Sequence, residues 1–151
     1  MSEILPTFAS RIAYKDLRAA VEWLQKAFGF KPAFATDKDG NIVYAEMWYG
    51  NGYVTLGGEW ENVKTPGSIG GANTQTVHVT LEEDVDDHCQ RARTAGAAIV
   101  EEPEDKFHGE RNYRALDPEG HMWIIGQTVR TMTNEEIEAA MPGMKIWRSE
   151  G

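Results

Sequence analysis

Residues 14–30 read YKDLRAAVEWLQKAFGF, and residues 79–100 read VTLEEDVDDHCQRARTAGAAIV. Each stretch carries one amphipathic helix between the same two signals. In the first, Leu17, Ala20, Val21, Leu24 and Phe28 recur at spacings of three and four, so they share one helical face. Asp16 stands where a carboxylate accepts the free N–H groups of a first turn, and Gly29 stands where a chain leaves a helix through the left-handed region. In the second, Val85, His88, Cys89 and Ala92 share a face, Asp84 is the cap and Gly96 the stop. Strand patterns surround both helices in the same order. The sequence predicts strands over 8–14, 31–36, 42–49 and 53–57 around the first helix, with Asn51-Gly52 as a hairpin turn. It predicts strands over 76–81, 97–101, 111–116 and 121–127 around the second, with Asp117-Pro118-Glu119-Gly120 as a turn. Residues 102–110 read as a polar loop and 59–75 as a Gly- and Pro-containing linker, mobile at its centre.

A repeat of one helix and up to four strands predicts two units that bury one shared apolar surface. The expected fold is α+β: two βαβββ modules, about 8–58 and 76–127, with cupped mixed sheets. Together they make a single domain over 1–130, followed by a C-terminal extension over 131–151. There Thr133 and Glu136 form a capping box for a short helix, and Pro142-Gly143 stops it. Ile146 and Trp147 make the end apolar, which predicts docking on the chain itself or on a second subunit.

The chain has 151 residues, 41% of them hydrophobic, and a formal charge of -9. That balance disfavours nucleic acid and anionic membrane surfaces as partners. Cys89 is the single cysteine, so no intrachain disulfide forms. The opening MSEILPTFAS lacks a leader pattern and no stretch approaches a membrane span, so a cytoplasmic location is expected.

Those two helical stretches, with HGERNYRALDPEGHMWIIGQ over residues 108–127, resemble the vicinal oxygen chelate superfamily, which includes glyoxalase I, bleomycin-resistance proteins and extradiol dioxygenases. The chain is most similar to the glyoxalase/bleomycin-resistance-like proteins. The resemblance implies ligands bound in the cups, frequent homodimers and, in many members, a divalent metal held by His, Gln and Glu side chains. Its metal stations fall here at about Ala9, Leu56, Val77 and Ile124, and none of these side chains ligates a metal. His78 is the neighbour of one station, but a one-residue shift in a strand turns a side chain to the other face. The expectation is therefore a protein with no metal ligands at those stations and no cofactor.

Period-two alternation puts Tyr44, Glu46 and Trp48 on one face of a strand. In a cup, these three suit a cationic or aromatic ligand, because aromatic faces and a carboxylate both attract cations. The alternative is ordinary sheet packing with the aromatics in a core. Trp60, Phe107 and Trp123 are further candidates to border a cavity. Arg111 and Arg114 are candidates to hold a carboxylate or phosphate, or to pair with Glu110 or Glu46. Of the four histidines, His108, beside Gly109 in a polar loop, is the candidate general base. His88 reads as a structural histidine on the helix face, and His121 as a tie for the turn before it.

Three functions follow from these readings. The first is a small-molecule-binding protein, homodimeric and without the usual metal. The second is a lyase, isomerase or dioxygenase with displaced ligands drawn from His78, His108, Glu46, Glu59 and Glu110. The third is a non-catalytic interaction module.

Overall fold

The computed structural model describes residues 5–149. β1 (Ser10–Ala13), α1 (Leu17–Phe28), β2 (Lys31–Lys38), β3 (Asn41–Tyr49) and β4 (Gly52–Gly57) form the first module. β5 (Val77–Thr80), α2 (Val85–Thr94), β6 (Ala98–Asp105), β7 (Glu110–Leu116) and β8 (Met122–Thr128) repeat the order. Each set makes a four-stranded mixed sheet, β1-β4-β3-β2 and β5-β8-β7-β6. In both, the first strand lies parallel to the last and the remaining pairs are antiparallel. No helix among the described residues is long and apolar enough to cross a membrane.

The caps act as the sequence predicts. Asp16 Oδ1 accepts from the Ala19 N–H at 3.0 Å, and Asp84 Oδ2 from the Asp87 N–H at 3.0 Å. Gly29 ends α1 at φ 78°, a value that L side chains rarely adopt. One core runs through both modules: Val21, Leu24 and Phe28 of α1 meet Met47 and Leu56 of the first sheet and Trp123 and Ile125 of the second.

The two helices also tie each other's ends. The Trp23 indole N–H on α1 donates to Ala95 O just past α2, at 2.8 Å. Arg91 on α2 donates to Lys26 O and Gln25 O near the end of α1, at 2.8 and 2.9 Å. A cation at that terminus also opposes the partial negative charge of the last carbonyls. His88 supplies a third tie, donating from Nε2 to Phe28 O at 2.9 Å. That carbonyl only accepts, so Nε2 carries the hydrogen, and Nδ1 accepts from the Tyr113 hydroxyl at 2.7 Å. Because residue 28 meets 88, 26 meets 91 and 23 meets 95, the helices run antiparallel.

A second set of bonds joins the β7–β8 turn to the β1–α1 corner. Asp117 is 5% exposed, and its carboxylate accepts from the Tyr14 hydroxyl at 2.6 Å and the Trp123 indole at 3.1 Å. It also accepts from the backbone N–H groups of Glu119 and His121, each at 3.0 Å. Glu119 in turn accepts from the N–H groups of Lys15 and Asp16 at 2.6 and 3.0 Å. His121 Nε2–H donates to Ala13 O at 2.6 Å, the tie expected of it extended across to the first module.

Two expectations need correction. The stretch predicted as a mobile linker folds. A Trp60–Val63 bridge and a 3-10 turn, Pro66–Ile69, order it around buried Thr65. Glu59 accepts from the Thr65 N–H at 2.7 Å, and the Ser68 hydroxyl together with that N–H pulls its carboxyl down to about 2. The polar loop predicted over 102–110 is also too long, because β6 continues to Asp105. Pro103 sits in a register break between Glu101 and Glu104, where the missing N–H costs no ladder bond. α3 (Asn134–Ala140) carries the expected Thr133–Glu136 capping box.

Two measurements follow. Tyr14→Phe should lower stability by about 1.5–3 kcal/mol and Asp117→Ala by about 3 kcal/mol or more, since each leaves buried groups unpaired. Urea unfolding reads both as midpoint shifts at unchanged slope. Burial lowers the His88 titration from its ordinary 6.5, so the unfolded chain binds a proton that the folded chain refuses. Stability should therefore fall as pH drops below 6.5, and His88→Gln should remove that part of the slope.

Candidate functional site

Residues on alternate sides of each strand have opposite fates. Ala45, Met47, Val54 and Leu56 are buried beneath the helices, so Tyr44, Glu46, Trp48, Tyr53 and Thr55 lie on the other face. The second sheet divides likewise: Val79, Tyr113, Ala115, Trp123 and Ile125 are buried, whereas His78, Asn112, Arg114 and Ile124 occupy the face away from the helices. Registers align the two open faces station by station. Phe34, Glu46, Thr55 and Arg11 form one row across the first sheet. Glu101, Arg114, Ile124 and His78 form the matching row across the second. Glu46 and Arg114 thus hold equivalent positions with opposite charge.

The first open face is aromatic. Trp48 and Tyr53 stack with centroids 4.7 Å apart and planes 13° apart, and Phe34 meets Tyr44 edge-on at 6.1 Å. The Tyr44 hydroxyl donates to Glu46 Oε2 at 3.0 Å. Partial burial, followed by that bond and the Glu46 charge, pushes the Tyr44 hydroxyl up. Gly57 lies in the next row, opposite Tyr44, and the Arg11 guanidinium occupies the space a β-carbon there would take. Arg11 also donates to Gly58 O at 3.2 Å.

The second open face is polar. His78 Nε2 lies 3.1 and 3.2 Å from the two oxygens of Glu110. The Asn112 amide donates to Glu110 Oε1 at 2.7 Å. Asn112 is 6% exposed and its Oδ1 is buried without a partner. Gly126 makes room for it, since a β-carbon there would sit 2.6 Å from Asn112 Cβ. Glu101 is bonded to Lys106, and its other oxygen is 4.0 Å from Arg114 Nε. Between the sheets, a cavity of about 360 Å³ is lined by Phe8, Ser10, Tyr53, Val54, His78 and Thr80 among others, and so touches residues of both open faces.

This geometry sorts the residues singled out in the sequence. Tyr44, Glu46 and Trp48 come together as one cluster, and Arg114 lies on the open face of the other sheet. Trp123 does not border a cavity: it is fully buried against Phe28 and Phe30 and donates to Asp117. Arg111 has the opposite parity to Arg114 and points to the helix side, where it binds Asp86 and Asp105 at 3.1 and 3.0 Å. Trp60 sits in the folded linker, 54% exposed. Phe107 meets the His108 ring edge-on at 5.2 Å in the exposed turn before β7. The imidazole that meets a carboxylate on the open face belongs to His78 rather than His108. Arg11, Tyr53, Thr55 and the His78–Glu110 pair escaped the sequence reading. The signal for His78 was the alternation with Val79, whose apolar side chain belongs to the core.

The same parity corrects the metal stations. Leu56 and Val77 lie on the helix side, and their strands present Thr55 and His78 to the open face instead. Even so, no three His, Cys, Asp or Glu side chains among the described residues converge on a metal position. His78 and Glu110 satisfy each other, and their row continues with Ile124 and cationic Arg114. These residues do not fit the divalent metal that the resemblance implies.

Comparison with known proteins agrees with this architecture. A protein of Mycobacterium bovis, itself uncharacterised, is 33% identical over 142 residues, covering 90% of this chain and 92% of its own. TioX from Micromonospora sp. ML1 superposes with a TM-score of 0.66 at 34% identity, covering 85% of this chain and 100% of TioX. A superfamily member from Sphaerobacter thermophilus has a TM-score of 0.66 at 20% identity over 82% of this chain and 98% of its own, a likeness of fold alone. The family profile matches residues 5–125, which span both modules and both open faces. The paired βαβββ units, their shared core and this match together place the chain in the glyoxalase/bleomycin resistance protein/dioxygenase superfamily.

Proposed function

We propose that this protein binds a planar aromatic or cationic small molecule on the open face of its first module, without a divalent metal. The observation that carries this reading is the cluster of stacked Trp48 and Tyr53 beside the Tyr44–Glu46 hydrogen bond. Stacked rings offer a flat apolar surface, and Glu46, on the same face, adds a carboxylate that attracts a cation. The cavity between β1 and β5 adjoins this cluster at Tyr53 and reaches His78, although Tyr44, Glu46 and Trp48 lie outside its lining, and its volume suits part of a small metabolite or drug. Arg114 is the candidate partner for an anionic end of the same ligand. The same reading takes the protein as a cytoplasmic homodimer, with Trp60 and Phe107 as rim contacts.

A catalytic reading is favoured by one observation, the His78–Glu110–Asn112 chain. Glu110 accepts in this contact, so the imidazole Nε2 carries the hydrogen of the bond and Nδ1 is the nitrogen that faces away from the carboxylate. A base oriented by a carboxylate that is itself oriented by an amide is the arrangement that general-base chemistry uses.

Titration with proflavine, a planar cationic dye, followed by tryptophan fluorescence tests the binding reading. Glu46→Gln should weaken binding about 2- to 5-fold at low salt, and Trp48→Ala by about 10-fold. Equal affinities for wild type and Trp48→Ala, or no saturable binding, would remove the reading. For the catalytic reading, Glu110→Gln should slow modification of His78 by diethyl pyrocarbonate at about pH 8.5, well above the ordinary imidazole range, followed at that residue by mass spectrometry. An unchanged rate would show that Glu110 does not set the imidazole.

A further inference from the structure

A second cavity, of about 330 Å³, opens farther along β1, walled by Arg11 to Ala13, the folded linker and the start of β8. None of Tyr44, Glu46, Trp48 and Tyr53 lines it. Its outer wall is tied to both modules. The Asn73 amide donates to Gly120 O and its Oδ1 accepts from the Met122 N–H, each at 2.9 Å. Gln75 donates to Ser10 Oγ at 2.6 Å, at the start of β1. A wall held from both sides is in place before a ligand arrives, so little ordering is left to offset binding.

The charge of the lining is opposite to that of the chain. Asp and Glu make up 24 of the 151 residues, yet no residue lining this cavity is acidic, and Arg11 and Lys64 both line it. Neither cation pairs with a carboxylate among the described residues. Arg11 spends one N–H on Gly58 O. The nearby acids are engaged elsewhere or lie outside: Glu59 holds the Thr65 N–H, Glu46 in the Arg11 row holds the Tyr44 hydroxyl, and Glu61 is not part of the lining. Ile12, Val63, Ile69 and Val77 add hydrocarbon to the wall.

Charge and wall together select the occupant. A guanidinium meets a carboxylate through parallel, charge-assisted hydrogen bonds, and an ammonium adds a second positive charge. Hydrocarbon walls reward an apolar body, which a hydrated inorganic ion lacks. We propose that this cavity binds a small organic carboxylate with an apolar body, its anionic end toward Arg11 and Lys64. This is a second site, independent of the aromatic cluster on the first open face.

Chemical-shift titration of the ¹⁵N-labelled full chain with cyclohexanecarboxylate at low salt tests it. A saturated ring lacks the flat π surface that Trp48 and Tyr53 offer, so the two sites are read apart. Saturable perturbations should centre on residues 62–64 and 72–77. Cyclohexanecarboxamide, similar in size but uncharged, should bind about 5-fold more weakly or worse. Lys64→Met and Arg11→Met each keep an unbranched side chain and remove the charge, and each should weaken the carboxylate by about 2- to 5-fold. Amide resonances remote from the cavity check the fold of both variants. No saturable shift, shifts centred elsewhere, equal affinity for the carboxamide, or an affinity unchanged in both variants would overturn the assignment. Failure of proflavine to bind would leave this site standing.

Discussion

The Asp117 carboxylate is the point on which the placement of the two modules depends. A charge at 5% exposure is costly unless its oxygens are fully engaged, and Asp117 engages them with four donors. Two of those donors come from its own turn. The others are the Trp123 indole in the core and the Tyr14 hydroxyl in the first module. Burial, followed by the Asp117 charge, holds the Tyr14 phenol well above its usual titration, so it remains a donor across the accessible pH range. With Glu119 and His121 gripping the same corner, the start of α1 and the end of β1 are fixed against the β7–β8 turn. The antiparallel helix pair then fixes the other end of the interface through His88 and Arg91. Between these two anchors, β1 and β5 line opposite sides of the cavity that touches both open faces.

A symmetric fold here carries asymmetric chemistry. Both modules place a glycine at the same open-face station of the last strand, Gly57 and Gly126, and both use the space it leaves. In the first module an arginine fills it beside a tyrosine and a glutamate. In the second an asparagine fills it beneath a histidine–glutamate pair. The residues at equivalent stations, Glu46 against Arg114 and Thr55 against Ile124, differ, and one face is aromatic while the other is polar. Among the described residues no cluster of carboxylates and imidazoles would hold a divalent ion. The buried side is mostly hydrocarbon and aromatic in both modules, so the chemical difference between the modules lies on the open side.

Much of the fold was legible because caps, stops and helix faces are local signals: Asp16, Gly29 and Asp84 were readable as such without any tertiary information. The same holds for Tyr44, Glu46 and Trp48, which alternation alone puts on one face. Errors arose where a residue's meaning depended on a partner strand. Residues 102–110 read as a polar loop, but β6 runs on to Asp105 and a register break absorbs Pro103. The linker looked mobile because it holds Pro66 and several glycines, whereas its order comes from Glu59 and buried Thr65. Arg111 and Trp123 looked like cavity residues because polarity and size were weighed before parity. His78 was set aside at the usual metal station because it is one residue from it, yet Val77 proves to be the residue on the helix side, and an error of one position in a strand reverses the face.

Chemical-shift mapping on ¹⁵N-labelled protein with proflavine addresses most directly whether the open face is where a ligand sits. The account predicts perturbations centred on Tyr44 to Trp48 and Tyr53 to Thr55, extending across the cavity to His78. Perturbations confined to the helix side would contradict it.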